Sequence, residues 1–159
     1  PSLDTPIPSW DKTTDGSLIK FQDHTTTTYG DTLATVHSLR TESFLFALSD
    51  ETSHLVSGND KLKFRMPYAF TLTDIRGSVN DAPTGADIVV DVLKNGVSIT
   101  TSNLTIDDGD TTSVGSSSAV VIGTATIADN DIISFNLSQT GSTLAGKGLK
   151  VTLIGHKTV

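Results

Sequence analysis

From about residue 41 onward the chain is a succession of short runs in which apolar and polar residues alternate, each ending at turn-forming residues. Alternation at period two puts every second side chain on one face, which suits a half-buried strand and defeats a helix. Lys61–Met66 alternates throughout and stops at Pro67; Phe70–Ile75 follows and runs on towards Val79. Asn80-Asp81-Ala82-Pro83-Thr84-Gly85 is a turn by composition. Ile88–Leu93 and Val97–Ile99 flank Asn95-Gly96, the strongest short hairpin signal. The remaining runs are Phe44–Leu48, Leu104–Ile106, Ala119–Ile122, Ala125–Ile127, Ile132–Leu137 and Leu149–Ile154. Nine or ten such strands predict an all-β fold over about residues 42–156, an antiparallel β-sandwich of jelly-roll type.

Composition agrees. Thr supplies 25 residues and Ser 18, and 16 of the 18 acidic residues are Asp. These side chains compete with helical backbone hydrogen bonds, so less than about a tenth of the chain is expected in helix. With 36% hydrophobic residues the chain can still bury a core. The alternation assigns Leu62, Phe64, Phe70, Leu72, Ile75, Val90, Val92, Ile133, Phe135, Val151 and Leu153 to that core.

Residues 1–40 read differently. Pro1, Pro6 and Pro8 fall within eight residues, which favours extended backbone and denies a helix. The segment is expected to be an extended N-terminal arm ahead of a sandwich domain over residues 41–159. Ile7, Trp10, Leu18, Ile19 and Phe21 make it too apolar for a solvated tail. Such an arm packs either on its own domain or on a neighbouring subunit, and these five residues are its candidate partner contacts, Trp10 foremost. Residues 1–60 carry a net charge of −6 and residues 61–159 only −1.

The total of −7 argues against a nucleic-acid binder, which needs a basic stripe, and against docking on anionic membrane. Cysteine is absent, so disulfides and thiolate metal sites are excluded. No apolar run reaches the roughly 20 residues of a membrane helix. Pro1-Ser2-Leu3-Asp4 lacks the regions of a secretory signal and is what removal of an initiator Met leaves, so synthesis and use without export are expected.

Chemistry-bearing motifs are few. Gly141-Ser142-Thr143-Leu144-Ala145-Gly146-Lys147 begins like a phosphate-binding loop, but Gly148 stands where Ser or Thr must hold magnesium. A glycine-rich hairpin loop explains it. Asp107/Asp108/Asp110 and Asp129/Asn130/Asp131 offer oxygens to calcium, yet lack the spacing and terminal Glu of an EF-hand and read as solvated turns. His24, His37, His54 and His156 show no metal-binding spacing, and no Gly-x-Ser-x-Gly elbow marks a nucleophile. Asn103 and Asn136 begin glycosylation sequons but read as strand residues. No enzyme activity, metal or cofactor is expected.

The stretch Lys63-Phe64-Arg65-Met66-Pro67-Tyr68-Ala69-Phe70-Thr71-Leu72-Thr73 resembles a module of tailed-bacteriophage virion proteins. Matching segments continue through Val79–Gly85, Val90-Asp91-Val92, Asn95–Ile99, Leu104–Asp107 and Gly141–Gly155, so the resemblance spans about residues 44–156. It implies a β-sandwich appendage on head or tail proteins and no catalysis; it does not reach the first 40 residues. The expectation is a capsid decoration protein on the virion surface, made in the host cytoplasm. Its partners would be the major capsid protein, held through the arm, and copies of itself. The alternative is a receptor-binding or fibre-tip module holding host-surface glycan. A fibre needs a shaft or trimerising stalk, for which 159 residues without heptads leave no room. Glycan binding by the sandwich loops is compatible with both.

Overall fold

A computed structural model describes residues 41–158. Among them there is no helix. Eleven strands follow in order: β1 (Thr41–Ala47), β2 (Lys63–Arg65), β3 (Phe70–Ser78), β4 (Ile88–Lys94), β5 (Val97–Ser98), β6 (Thr100–Ser102), β7 (Leu104–Ile106), β8 (Val121–Ile122), β9 (Thr126–Ile127), β10 (Ile132–Thr140) and β11 (Lys150–Lys157). One sheet has the order β1-β11-β3-β9, the other β2-β10-β4-β5 with β7 also on β4, and every pairing is antiparallel. The fold is an all-β antiparallel sandwich. The expected arm over residues 1–40 lies outside the described residues.

On the longer strands the inward face is largely the apolar set of the alternation. Val90 and Val92 on β4, Ile133 and Phe135 on β10, and Val151 and Leu153 on β11 are buried in one core shared by both sheets. Nine of the eleven residues assigned to the core from sequence are buried there. Leu62 and Phe64 are the exceptions: they are only partly buried, because β2 is a three-residue edge strand at the margin of the sandwich. The core also takes in Met66, Ile88, Ile99, Leu104, Ile106, Ile127, Leu137 and Leu149.

Two irregularities tune the register. On β3 the inward residues step from Leu72 to Ile75, breaking strict alternation, and the ladder with β11 slips between Ile154 and Gly155 at that point. Thr73 is the extra residue, so a β-bulge restores the inward parity. Gly155 is required there: a Cβ would stand 2.1 Å from the Thr71 carbonyl oxygen and 2.7 Å from the Phe70 ring. At the β4–β5 hairpin both Asn95 (φ 52°) and Gly96 (φ 84°) are left-handed, the conformation a type I′ turn requires. Asn95 also ties the turn to β10: its amide nitrogen donates to Asp131 Oδ1 (2.7 Å) and its Oδ1 accepts the Ile132 N–H (2.9 Å).

Strands β6 and β8 pair with each other and join the two sheets along one side. Ile99 is the pivot: its N–H donates to the Val92 carbonyl (2.9 Å), and its own carbonyl accepts from Gly123 (2.8 Å) and Thr124 (3.0 Å).

Candidate functional site

The β10–β11 loop that mimics a phosphate-binding motif is a latch between hairpins. Thr84 N–H donates to the Leu144 carbonyl (2.9 Å), Asn80 N–H to the Lys147 carbonyl (2.8 Å), and Lys147 Nζ pairs with Asp81 (2.8 Å). The one cation of the motif is thus held in an ion pair, and β11 rather than a helix follows. His54 joins the same latch, its Nδ1 2.7 Å from the Ala145 carbonyl oxygen.

The acidic loops likewise hold turns. Asp107 accepts from the Ser116 hydroxyl and from the Ser117 N–H (2.7 Å), and these bonds hold its carboxyl below the usual carboxylate range. Asp131 accepts from the Asn95 amide and the Ala128 N–H, with the same effect. Asp108 Oδ1 accepts the Gly85 N–H (3.0 Å). Each carboxylate satisfies donors that a tight turn leaves unpaired. Among the described residues no three His, Asp or Glu side chains are gathered to hold a metal ion. Asn136 lies in β10, but Asn103 is the single residue between β6 and β7, where its Oδ1 accepts the Thr100 hydroxyl (3.0 Å).

Two surface features remain. The first is the side of the sandwich opposite β6–β8, between edge strands β1 and β2. Phe44 and Phe46 of β1 meet Phe64 of β2 at 5.8 and 5.1 Å, and Phe46 meets Phe135 at 5.2 Å. Tyr68 completes the group: its ring is 5.8 Å from Phe44, and Lys157 Nζ lies 5.1 Å from its centroid. Its hydroxyl donates to Glu42 (2.6 Å), which raises the phenol's pKa above the usual 10.0. Outside these rings runs the outer edge of β1. Leu48 N–H donates to the Leu149 carbonyl, so the ladder's alternation turns the backbone groups of Ser43, Leu45 and Ala47 away from β11. Among the described residues no strand meets them. The Leu45 side chain is 65% exposed.

The second is a cleft of about 280 Å³ over β3, lined by Asp74, Ile75 and Arg76 and by the loop residues Ser113–Ser116, Ala119 and Val120. Its rim is fixed at both ends. Val79 N–H donates to the Thr111 carbonyl and Ser113 N–H to the Gly77 carbonyl, while the Ser113 hydroxyl accepts the Gly77 N–H (2.8 Å). Beyond the turn at Val114-Gly115, the Asp107 carboxylate holds Ser116 and Ser117. Along its lining, Arg76 Nε donates to Asp74 Oδ2 (2.7 Å), a pair in which the Arg76 side chain is 59% exposed.

The five residues singled out for partner contact, Ile7, Trp10, Leu18, Ile19 and Phe21, all lie outside the described residues. Neither surface feature was legible as a site in sequence. Arg76 and Asp74 are ordinary outward strand residues until the 111–120 loop folds across them. No family model matches the chain, and no curated protein or solved structure matches it.

Proposed function

We propose that this is a bacteriophage virion structural protein, a capsid decoration protein whose sandwich sits on the outer face of the major capsid shell and whose residues 1–40 hold it there. The observation that supports this reading best is the outer edge of β1. Natural sheets blunt their edges by shortness, Lys, Pro or bulges, because a bare edge recruits another chain. Strand β2 is blunted in that way: three residues, with Lys63 and Arg65, followed by Pro67. Strand β1 has seven residues, no Lys, no Pro and no bulge, and carries an exposed Leu45. An edge that no strand meets among the described residues suits a module that is completed by its neighbours in a repeating lattice, through strand addition.

The strand order supports the same reading. With β5–β7 counted as one bent strand and β8–β9 as another, the sheets run 1-8-3-6 and 2-7-4-5, the winding of a jelly roll, an architecture used by viral capsid proteins and lectins alike. Fold alone does not specify a function; the sequence resemblance described above is the support for the viral branch.

The test is binding of the purified chain to undecorated phage capsids, expected to saturate at defined lattice sites. Removing residues 1–40, or Trp10→Ala, is expected to abolish binding while the sandwich melts as before. Leu45→Pro blocks the outward edge without touching the β11 ladder, because the Leu45 N–H faces away from it, and is expected to weaken binding. Failure to bind any virion part would overturn the proposal, and full binding by the truncated chain would move the anchor into the sandwich.

A further inference from the structure

We propose that the cleft over β3 binds a neutral polyhydroxylated ring, a monosaccharide or the terminal unit of a glycan. The assignment goes beyond the decoration reading and does not depend on it. It rests on the cleft's chemistry, its order and its size.

The chemistry is balanced in charge. One carboxylate, Asp74, faces one guanidinium, Arg76, and they are paired at 2.7 Å. Asp74 Oδ1 accepts the Ile75 N–H (2.8 Å) and Oδ2 accepts Arg76 Nε, so each oxygen keeps a lone pair for a further donor. With Nε engaged, the terminal guanidinium nitrogens have no partner among the described residues. A hydroxylated ring uses both halves of such a pair, donating one hydroxyl to the carboxylate while a neighbour accepts from the guanidinium. A bare anion would meet Asp74 and a bare cation would meet Arg76, so an ion gains little there. The apolar wall comes from Val114, Ala119 and Val120, and Val114 is 61% exposed at the tip of its turn. That wall suits the C–H face of a sugar.

The cleft is also ordered before a ligand arrives, since backbone pairing at Thr111–Ser113 and the Asp107 clamp fix both ends of its rim. Preorganised groups bind without a further ordering cost. At about 280 Å³ it lies just below the usual range of ligand clefts, about 300–1,000 Å³. It therefore accommodates one ring rather than an extended chain. No aromatic residue lines it, so the affinity expected of one site is millimolar.

The test uses the full chain labelled with ¹⁵N, titrated separately with D-glucose, D-galactose and N-acetyl-D-glucosamine, and in parallel arms with sodium acetate and inorganic phosphate. Saturable amide shifts confined to residues 74–76 and 113–120 are expected with at least one sugar and with neither anion. Arg76→Gln is expected to weaken that sugar about ten-fold with an unchanged melting temperature. Val114→Asp, which spoils the apolar wall from an exposed position, should weaken it as well. Absence of saturation with all three sugars, shifts mapping elsewhere, or saturation by acetate or phosphate would each overturn the proposal. Undiminished binding by Arg76→Gln would overturn it too.

Discussion

On the β6–β8 side of the sandwich, backbone hydrogen bonds carry the chain from one sheet to the other. On the β1–β2 side no strand bridges the sheets among the described residues, and six rings, Phe44, Phe46, Phe64, Tyr68, Phe70 and Phe135, fill the margin. In the first arrangement Ile99 is buried, but the side chains of β8 carry less: Val121 is 50% exposed and Ile122 half-buried. The second depends on its rings. On the first side β6 and β8 are two or three residues long and pair with each other, whereas the second has a seven-residue edge strand whose outer side meets no strand among the described residues. The difference explains why β1 and not β8 is the place to look for a partner.

Substitutions should expose that asymmetry directly. Phe46 is 7% exposed and packs on Phe64 and Phe135, so Phe46→Ala is expected to destabilise the domain by about 3–5 kcal/mol in chemical denaturation. Val121→Ala, the corresponding truncation on the other side, should cost less than about 1 kcal/mol because half of that side chain already meets water. Equal losses would show that the β6–β8 side also relies on its side chains, and the contrast would fail.

The smaller second test concerns Tyr68 and Glu42. Tyr68→Phe removes the hydroxyl that donates to Glu42 and is expected to cost about 1 kcal/mol, the usual net value of such a bond. In the unaltered chain the phenol should ionise above its ordinary 10.0, first because ionisation surrenders the bond to Glu42 and then because burial disfavours the charge. Glu42→Gln should bring the value back towards 10.0. Ultraviolet titration reads this, with Tyr29, the only other tyrosine, removed as Tyr29→Phe. An unmoved Tyr68 would mean that Glu42 does not hold the ring margin together.

The fold was legible because several of its strands obey period two. Ile88–Lys94 and Lys150–Lys157 each bury every second residue, and Asn95-Gly96 announces its own turn. Legibility declined where backbone pairing departs from alternation. Lys61–Met66 reads as one long strand, yet only Lys63–Arg65 is regular ladder, although the Lys61 N–H still donates to the Phe135 carbonyl (2.8 Å) and the Met66 N–H to the Asp131 carbonyl (2.9 Å). Thr100–Ser102 has no apolar signature and becomes β6 only because β8 arrives opposite. The cleft was not legible at all. It is made by residues about 40 positions apart, and what builds its rim, Asp107 accepting from Ser116 and Ser117, reads in sequence as no more than a solvated acidic turn. An acidic loop and a carboxylate-capped turn have the same composition, and only the direction of the donors tells them apart.

That clamp supplies the gentlest test of the two-sided picture, because Asp107 follows β7 and the residues it holds lead into β8. The hydroxyl of Ser116 and the N–H of Ser117 both favour the ionised carboxylate, so its folded pKa lies below the unfolded value, near 3.8. A group depressed on folding contributes stability that is fully present above the unfolded pKa and is lost as the pH falls through the folded one. Acidification below about 3.8 should therefore loosen the 113–118 turn and β8 before it reaches the centre of β10, where Ile133 and Phe135 are buried. Hydrogen-exchange protection, corrected for the intrinsic pH dependence of exchange, should fall first at residues 113–124. In Asp107→Asn that protection should already be reduced at pH 7 and should change little on acidification, since no proton remains to be taken up. If the β8 amides keep their protection in Asp107→Asn, pairing with β6 alone holds that side and the carboxylate serves only its own turn.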